Sequence, residues 1–168
     1  GLLVPMLVFS LLLLAVSPPS FDYDRTRPFD LQEVSRREEG GVIVREIRYA
    51  GADGAPVTAF LLRPKHEGPM PGLLFVHGLV EPEKSNKTQF LEEAKILAAG
   101  GATTLLIDAM WSAPQWFERR DPARDLAASV AQVKNLRRAL DLLAGQPGVD
   151  AARLAYVAHD FGAMYGAS

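Results

Sequence analysis

Short, continuous apolar runs alternate along this chain with longer segments in which apolar residues recur every three or four positions. The short runs are bounded by turn-forming residues and are typical of strands, whereas the longer periodic segments are typical of amphipathic helices. Predicted strands cover 42–49, 57–63, 72–76, 102–107 and 154–158, and predicted helices cover 90–98 and 121–144. Strands that alternate with helices in this way predict an α/β domain with helices on both faces of a sheet.

The connections between these elements indicate how the sheet is built. Residues 51–54, Gly-Ala-Asp-Gly, form a turn that joins the first two strands into an antiparallel hairpin. The run 72–76 is wholly apolar, as in strands that are buried on both faces of a parallel sheet, and 102–107 is predicted to be the next buried strand. Helical crossovers between them predict a three-layer α/β fold, with a mostly parallel sheet after the N-terminal hairpin.

The N-terminal segment carries a separate signal. Residues 2–16 are apolar except for Pro5 and Ser10, and residues 17–20 read Ser-Pro-Pro-Ser. This run is short for a membrane span but suits the core of a signal peptide. We expect residues 1–20 to be an export signal or an uncleaved membrane anchor, and a buried core helix is the remaining alternative. An exported protein would be periplasmic or extracellular, and an uncleaved 2–16 segment would contact the membrane.

The rest of the chain divides into a polar arm and a domain. Residues 21–41 contain Pro28 and the mixed charges of 36–39, and are typical of a linker or lead-in arm. The α/β domain is predicted to cover 42–168. On the helix 121–144 an apolar stripe is expected to face the core, and its arginines, Arg137 and Arg138 included, are expected on a solvated face.

Composition removes several classes of function. The 168 residues carry a formal net charge of -2 without a basic cluster, which argues against a nucleic-acid partner. The absence of cysteine excludes disulfides, thiolate zinc sites and cysteine nucleophiles. No metal ligands with suitable spacing are visible, and no cofactor is predicted. The expected partner is a small-molecule substrate, and the oligomeric state is not predictable from these residues.

The most specific pattern in the sequence lies at 154–166, where an apolar strand runs into a turn of small residues with one acidic side chain. Residues 158–162 read Ala-His-Asp-Phe-Gly and follow the G-x-S-x-G pattern of a nucleophile elbow. In that elbow a sharp strand-to-helix turn exposes a reactive side chain. Asp160 stands at the position of the reactive serine, and Ala158 stands at the position of the first glycine.

A second element precedes the elbow by about eighty residues, since His77-Gly78-Leu79 directly follows the predicted buried strand 72–76. With these two elements the chain resembles the α/β-hydrolase superfamily. Over residues 21–167 it is similar to the dienelactone-hydrolase-like and acyl-esterase-like members. The segments that carry this similarity are 59–64 (Ala-Phe-Leu-Leu-Arg-Pro), 73–78 (Leu-Leu-Phe-Val-His-Gly), 106–109 (Leu-Ile-Asp-Ala) and the elbow.

The resemblance implies the N-terminal half of the hydrolase fold, truncated after the elbow, with the remaining strands, any lid and the catalytic His and acid beyond Ser168. It implies an oxyanion hole formed by the backbone N–H groups of Leu79 and Phe161, which would stabilise negative charge on a reacting oxygen. The residues that would support this hole and the turn are His77, Gly78, His159 and Gly162. A hydrogen-bonded structural histidine is the alternative for His77, and His159 is expected to stabilise the turn rather than to catalyse.

Asp160 leaves three interpretations open: a covalent nucleophile, a carboxylate that steers water or substrate, or the relic of a lost nucleophile. A carboxylate that attacks an ester carbonyl forms a mixed anhydride, which is no easier to reach than direct hydrolysis, whereas attack on saturated carbon gives an ordinary ester. Haloalkane and haloacid dehalogenases and epoxide hydrolases of this fold use the second route. Their elbows often read His-Asp-aromatic-Gly, as residues 159–162 do.

Two further positions have weaker signals. Asp108 lies at the carboxyl end of its predicted strand, where it either faces the ligand-binding edge of the sheet or caps the following turn. Trp111, with Trp116 and Phe117, either lines an apolar substrate pocket or packs the loop against the domain.

The predicted function is therefore a cofactor-independent hydrolase of a small organic substrate. The overall resemblance favours cleavage of an ester or lactone. The identity of Asp160 instead favours a dehalogenase or an epoxide hydrolase. A catalytically inactive α/β-hydrolase that acts as a binding module is the alternative from a different class.

Overall fold

The computed structural model describes residues 17–167. The predicted signal or anchor in residues 2–16 lies outside the described residues. Between 17 and 167 no helix is long and apolar enough to span a membrane.

The described residues form a six-stranded sheet with helices packed on both faces. In chain order the elements are β1 (Gln32–Glu39), β2 (Val42–Ala50), β3 (Pro56–Pro64), β4 (Met70–Val76), α1 (Leu91–Ala99), β5 (Thr103–Ile107), α2 (Trp116–Arg119), α3 (Asp125–Ala144), β6 (Val149–Ala158) and α4 (Phe161–Gly166). Each predicted strand is present, and the largest change is in β6, which begins at Val149 rather than at Leu154. The long helix begins later than predicted because Asp121 caps a short 3₁₀ turn over Pro122–Arg124.

The strand order is β1-β2-β3-β5-β4-β6, and the sheet is mixed. Strand β4 pairs in parallel with both β5 and β6. The pairs β1–β2, β2–β3 and β3–β5 are antiparallel. The prediction of a mostly parallel sheet was therefore wrong for the described strands. The reason is that β5 lies between β3 and β4 and runs antiparallel to β3, and the direction of that pairing leaves no periodicity in the sequence.

Strand β1 falls inside the segment predicted as a linker. All eight of its residues are exposed, so it carries no apolar alternation that would mark it as a strand. A tight turn at Gly40 and Gly41, both with positive φ, connects β1 to β2 and allows the two strands to pair. The sheet consequently begins at Gln32, ahead of the predicted domain start at Val42.

The core consists of two apolar layers, one on each face of the sheet. On one face α1 buries Ala94 and Ala98 against β2, β3, β4 and β5. On the other face α3 packs Leu136, Ala139 and Leu143 against the sheet. The three-layer arrangement is as predicted, and it leaves the carboxyl ends of β4, β5 and β6 together at one edge.

Arg138 departs most clearly from its predicted surface position on α3. Its side chain is 1% exposed. The guanidinium donates hydrogen bonds to the carbonyl oxygens of Ala50, Arg27 and Pro28 at 2.6 to 3.0 Å. It also lies over the ring of Phe29, 4.3 Å from the centroid. This residue therefore ties the arm before β1 to the end of β2 and to α3.

Candidate active site

The turn between β6 and α4 has the strained geometry that a nucleophile elbow requires. Asp160 adopts φ 53° and ψ -121°, a conformation that costs energy in any residue with a side chain beyond hydrogen. The turn is held on both sides, since the His159 N–H donates to the Val76 carbonyl and the Gly162 N–H donates to the His159 carbonyl. The sequence pattern thus predicted the turn correctly, and the turn exposes Asp160.

Gly162 is required by close packing rather than by its φ angle. A Cβ atom at this position would lie 2.5 Å from the Val76 carbonyl oxygen and 2.8 Å from that of His77. Helix α4 therefore begins directly against the end of β4, and only a residue without a side chain fits at this position. This contact is the physical reason for the second glycine of the elbow pattern.

The loop after β4 contacts the carboxylate of Asp160 through a backbone amide. The Leu79 N–H donates a hydrogen bond of 3.0 Å to Asp160 Oδ2. Gly78 makes the approach possible, since a Cβ atom there would lie 2.9 Å from both the Asp160 Cβ and the His159 Nδ1. The structure therefore brings together two residues that the sequence placed in one site, and the amide contacts the aspartate itself.

His77 is a buried structural residue, 2% exposed. The Ala109 N–H donates to His77 Nε2 at 3.0 Å, and His77 Nδ1 lies 2.9 Å from the Gly78 carbonyl oxygen. Desolvation by burial holds the pKa of His77 below its ordinary value, although Asp108 opposes this effect. A neutral imidazole with these partners does not act as a general acid or base for Asp160.

Aromatic side chains pack together beside the elbow. Helix α4 begins at Phe161. The centroid of the Phe161 ring lies 5.7 Å from that of Trp111 and 6.0 Å from that of Trp116. The Trp111 indole N–H donates to the His77 carbonyl at 3.1 Å. Trp111 is 1% exposed and belongs to the core as well as to this cluster. The oxyanion hole from Leu79 and Phe161 stays a prediction.

A cavity of about 580 Å³ opens next to this cluster. Its walls are mainly apolar and aromatic, and Leu79 and Trp111 belong both to these walls and to the surroundings of the elbow. Its apolar lining residues include Leu79, Val80, Pro82, Pro114, Trp116 and Phe117. The polar Ser85 in this wall is already engaged with the backbone of Val80. An apolar group of substrate size fits such a space.

Asp108 has a structural role in the loops and does not line this cavity. Its Oδ2 accepts from the Thr58 hydroxyl at 2.5 Å and lies 3.2 Å from Lys87 Nζ, and its Oδ1 accepts from the Lys87 N–H at 2.8 Å. Its partners lie on β3 and in the loop before α1, so Asp108 anchors that loop to the sheet, a role that neither interpretation of the sequence included. Its partner Lys87 also reaches Glu46 and the ring of Phe60.

Gln89 was not identified from the sequence. Its Oε1 accepts a 2.8 Å hydrogen bond from the Gly78 N–H and so fixes the loop after β4 through a different peptide group from the one that His77 contacts. It lies in a polar loop without periodicity, and no sequence signal distinguishes it from its neighbours. Across 17–167 no three His, Asp or Glu side chains lie close enough together to hold a metal ion.

No family model matches the chain. No curated protein matches it in sequence. Solved structures do resemble it. The acetyl xylan esterase from Paenibacillus sp. R4 is 23% identical with a TM-score of 0.66, over 83% of this chain and 49% of that protein. Acetyl xylan esterase 1 from Thermoanaerobacterium sp. JW/SL YS485 is 19% identical with a TM-score of 0.67, over 86% of this chain and 49% of that protein.

A third similar structure is a dienelactone hydrolase-like promiscuous phosphotriesterase from metagenomic libraries. It is 22% identical with a TM-score of 0.53, over 74% of this chain and 52% of that protein. The chain thus spans about half the length of the structures that it matches. Likeness of this degree shows the fold: the described residues form part of an α/β-hydrolase fold.

Proposed function

We propose that this chain carries the nucleophile half of a hydrolase that cleaves a small organic substrate without a cofactor, with Asp160 at the reacting position. The observation that supports this proposal is the strained elbow, which exposes Asp160 and directs the Leu79 amide at its carboxylate. A strained backbone at an exposed acidic residue costs stability, and such strain clusters at active sites. The adjoining apolar cavity of about 580 Å³ would take the substrate.

Ester or lactone cleavage is the first candidate reaction. The similar structures are named as acetyl xylan esterases and a dienelactone hydrolase-like protein, and these names supply the substrate class for this proposal. In this reaction the Asp160 carboxylate takes a proton from a water molecule while the water oxygen bonds to the carbonyl carbon. The carbon–oxygen bond to the alcohol then breaks, and the alcohol leaves with a proton. The Leu79 amide would have to move from Asp160 to the substrate oxygen.

Attack on a saturated carbon is the second candidate, and the hydrogen bond from Leu79 favours it. With Oδ2 held by this amide, Oδ1 forms a bond to carbon while a halide leaves or an epoxide carbon–oxygen bond opens. The product is an ester of Asp160, whose carbonyl oxygen is Oδ2. Water then attacks the carboxyl carbon and loses a proton, and the negative charge on Oδ2 develops beside the Leu79 N–H. The intermediate collapses as the bond between the carboxyl carbon and Oδ1 breaks, so that the alcohol leaves with Oδ1 and a proton and the carboxylate of Asp160 is restored. In this route the amide keeps one partner from the ground state to the intermediate.

The test measures hydrolysis by the full-length protein and by three variants, Asp160→Ala, Asp160→Asn and Asp160→Ser, with folding matched by thermal unfolding. p-Nitrophenyl acetate reports ester cleavage, and 1-bromobutane and styrene oxide report attack on saturated carbon. Loss of native activity in Asp160→Ala and Asp160→Asn supports the proposal. A native protein inert toward all three substrates, with ligand binding unchanged in Asp160→Ala, contradicts it and favours the binding module.

A single turnover in ¹⁸O-labelled water separates the two candidate reactions. Attack through Asp160 places the heavy oxygen in the carboxylate of Asp160, which mass spectrometry detects in the peptide that contains it. Activation of water by Asp160 places the heavy oxygen in the released acid and leaves the aspartate unlabelled.

A further inference from the structure

The hydrogen-bond partners of His77 determine which of its two ring nitrogens carries the proton. The Ala109 backbone N–H can only donate, so the Nε2 atom that faces it at 3.0 Å must be an acceptor without a proton. In the neutral ring the proton then resides on Nδ1, which donates to the Gly78 carbonyl oxygen at 2.9 Å. The Trp111 indole N–H fixes the His77 backbone by donating to its carbonyl at 3.1 Å. The imidazole thus has one tautomer and one orientation.

The Gly78 carbonyl and the Leu79 N–H belong to the same peptide group. Because that group is planar and trans, the direction of the carbonyl sets the opposite direction of the N–H. The carbonyl is held by His77, and the N–H donates to Asp160 Oδ2 at 3.0 Å. Glycine at position 78 leaves this peptide free to rotate in the absence of a restraint. A hydrogen bond on the carbonyl also polarises the peptide and strengthens its N–H as a donor.

We propose that His77 is a positioning residue, which directs the Leu79 amide toward Asp160 through the bond from Nδ1 to the Gly78 carbonyl. The kinetic consequence of this role rests on the proposed function, whereas its structural consequence does not. Gln89 holds the preceding peptide through the Gly78 N–H, so the orientation of the Leu79 amide depends on His77 separately.

Two substitutions each preserve one of the two hydrogen bonds of the His77 ring and remove the other. In His77→Asn the side-chain amide branches from the same carbon as Nδ1, so its NH₂ still reaches the Gly78 carbonyl. In His77→Gln the longer side chain places its oxygen near the position of Nε2, where it accepts from Ala109 and leaves the Gly78 carbonyl without a partner. Both variants remove the imidazole, so a general effect of losing histidine would appear equally in both.

The expected result is a kcat within a few-fold of native for His77→Asn and a decrease of about 10- to 100-fold for His77→Gln, because one oxyanion donor is worth about 10²–10³-fold in kcat. KM should change little in either variant, since the amide acts on the reacting oxygens. Equal losses in both variants, or a larger loss in His77→Asn, would overturn the positioning role.

Nuclear magnetic resonance of the ¹⁵N-labelled full-length protein supplies a readout that needs no turnover. The Leu79 amide proton should move to lower chemical shift in His77→Gln and stay near the native value in His77→Asn. In the native protein the His77 nitrogen shifts should show a proton on Nδ1 and none on Nε2. A proton on Nε2, or an unchanged Leu79 amide in His77→Gln, overturns the proposal even if no substrate is found, and native inactivity alone contradicts only the proposed function.

Discussion

The backbone N–H of Leu79 and the carboxylate of Asp160 are joined by a 3.0 Å hydrogen bond across 81 positions of sequence. The loop after β4 and the elbow after β6 meet here because their parent strands are neighbours in the sheet. The contact places a backbone donor on the exposed carboxylate at the apex of the elbow. The carbonyl oxygen of an ester substrate would have to replace Asp160 Oδ2 as the acceptor of the Leu79 N–H. A substrate attacked at saturated carbon would leave this hydrogen bond in place.

The strain at Asp160 should be measurable as stability. Asp160→Gly should be more stable than Asp160→Ala by about 1 kcal/mol, because glycine adopts φ 53° and ψ -121° without the steric penalty of a Cβ atom. Both variants lack the carboxylate, so the comparison isolates the backbone. The measurement is the free energy of unfolding in urea. Equal stabilities for the two variants would show that the elbow is not strained.

Gly162→Ala should disrupt the elbow. The added Cβ would lie 2.5 Å from the Val76 carbonyl oxygen, and overpacking against backbone costs about 1–3 kcal/mol or more. The matched control is Gly145→Ala at the end of α3, where the nearest atom to the new Cβ lies at 3.4 Å. Urea unfolding should show a loss of at least about 2 kcal/mol for Gly162→Ala and a change of less than about 1 kcal/mol for the control. A smaller effect at Gly162 would mean that α4 can shift without cost.

Arg138→Met should release the arm before β1. The substitution keeps the apolar stem but leaves the carbonyls of Arg27, Pro28 and Ala50 without their donor, and a hydrogen bond to a charged group is worth about 1.5–3 kcal/mol. We expect a total loss of about 3 kcal/mol, together with faster hydrogen exchange at the Ala50 amide, which bonds to Phe29.

The control for this prediction is Arg137→Ala, on the same helix. Arg137 is partly exposed and lies over the ring of Phe21, 5.5 Å from the centroid, so its removal should cost less than about 1 kcal/mol. Similar losses for the two arginines would indicate that the buried hydrogen bonds of Arg138 contribute little.

The stability of the protein should depend on His77 below neutral pH. Its pKa in the folded state lies below the ordinary value of 6.5, so the unfolded chain takes up a proton at a pH where the folded protein does not. The contribution of this residue is fully present above pH 6.5 and is lost as pH falls toward the lower folded pKa. Asp108 and Lys87 face the imidazole with opposite effects on its pKa. Unfolding free energies of the native protein and of His77→Asn should converge over this range.

The two proteins differ only at position 77, so the comparison isolates the contribution of His77. A constant difference between the native protein and His77→Asn from pH 7 to pH 5 would show that His77 does not titrate differently in the two states.

Trp116→Ala should weaken substrate binding through the apolar cavity. Loss of the Trp116 side chain removes apolar surface that would contact the substrate, and burial of a large apolar side chain is worth about 1.5–3 kcal/mol. KM should therefore rise by about tenfold for whichever aryl or alkyl substrate the native protein turns over. The control is Leu126→Ala, a residue that is 71% exposed and does not line the cavity. An unchanged KM for Trp116→Ala would place the substrate elsewhere.

The elements that position the site could be predicted because their sequences carry strong local signals. Strand β4 is a continuous apolar run, β5 consists of β-branched and apolar residues, and the small residues of 158–162 indicate a tight turn. The position of β1 and the antiparallel pairing of β3 with β5 could not be predicted. The first element is exposed on both faces, and the second depends on the order of strands in space rather than on any pattern along the chain.

Side-chain roles were harder to predict than elements. Arg138 lies one helical turn before the buried Leu142 on α3, a spacing that offered a signal for burial, but its charge argued for the surface. Asp108 and Gln89 act through backbone groups of distant loops, and only the folded chain brings those groups within reach. The identity of Asp160 was plain in the sequence, whereas its hydrogen bond to Leu79 required the structure.

Strand β1 has a further consequence for how copies of this protein behave at high concentration. It lies at one end of the sheet, with β2 as its only neighbour among the described strands. Its charged residues are Glu33, Arg36, Arg37, Glu38 and Glu39. Extension of the sheet by a second molecule at this strand would remove water from several ionised groups. This edge therefore resists intermolecular strand pairing and helps to protect the protein from aggregation.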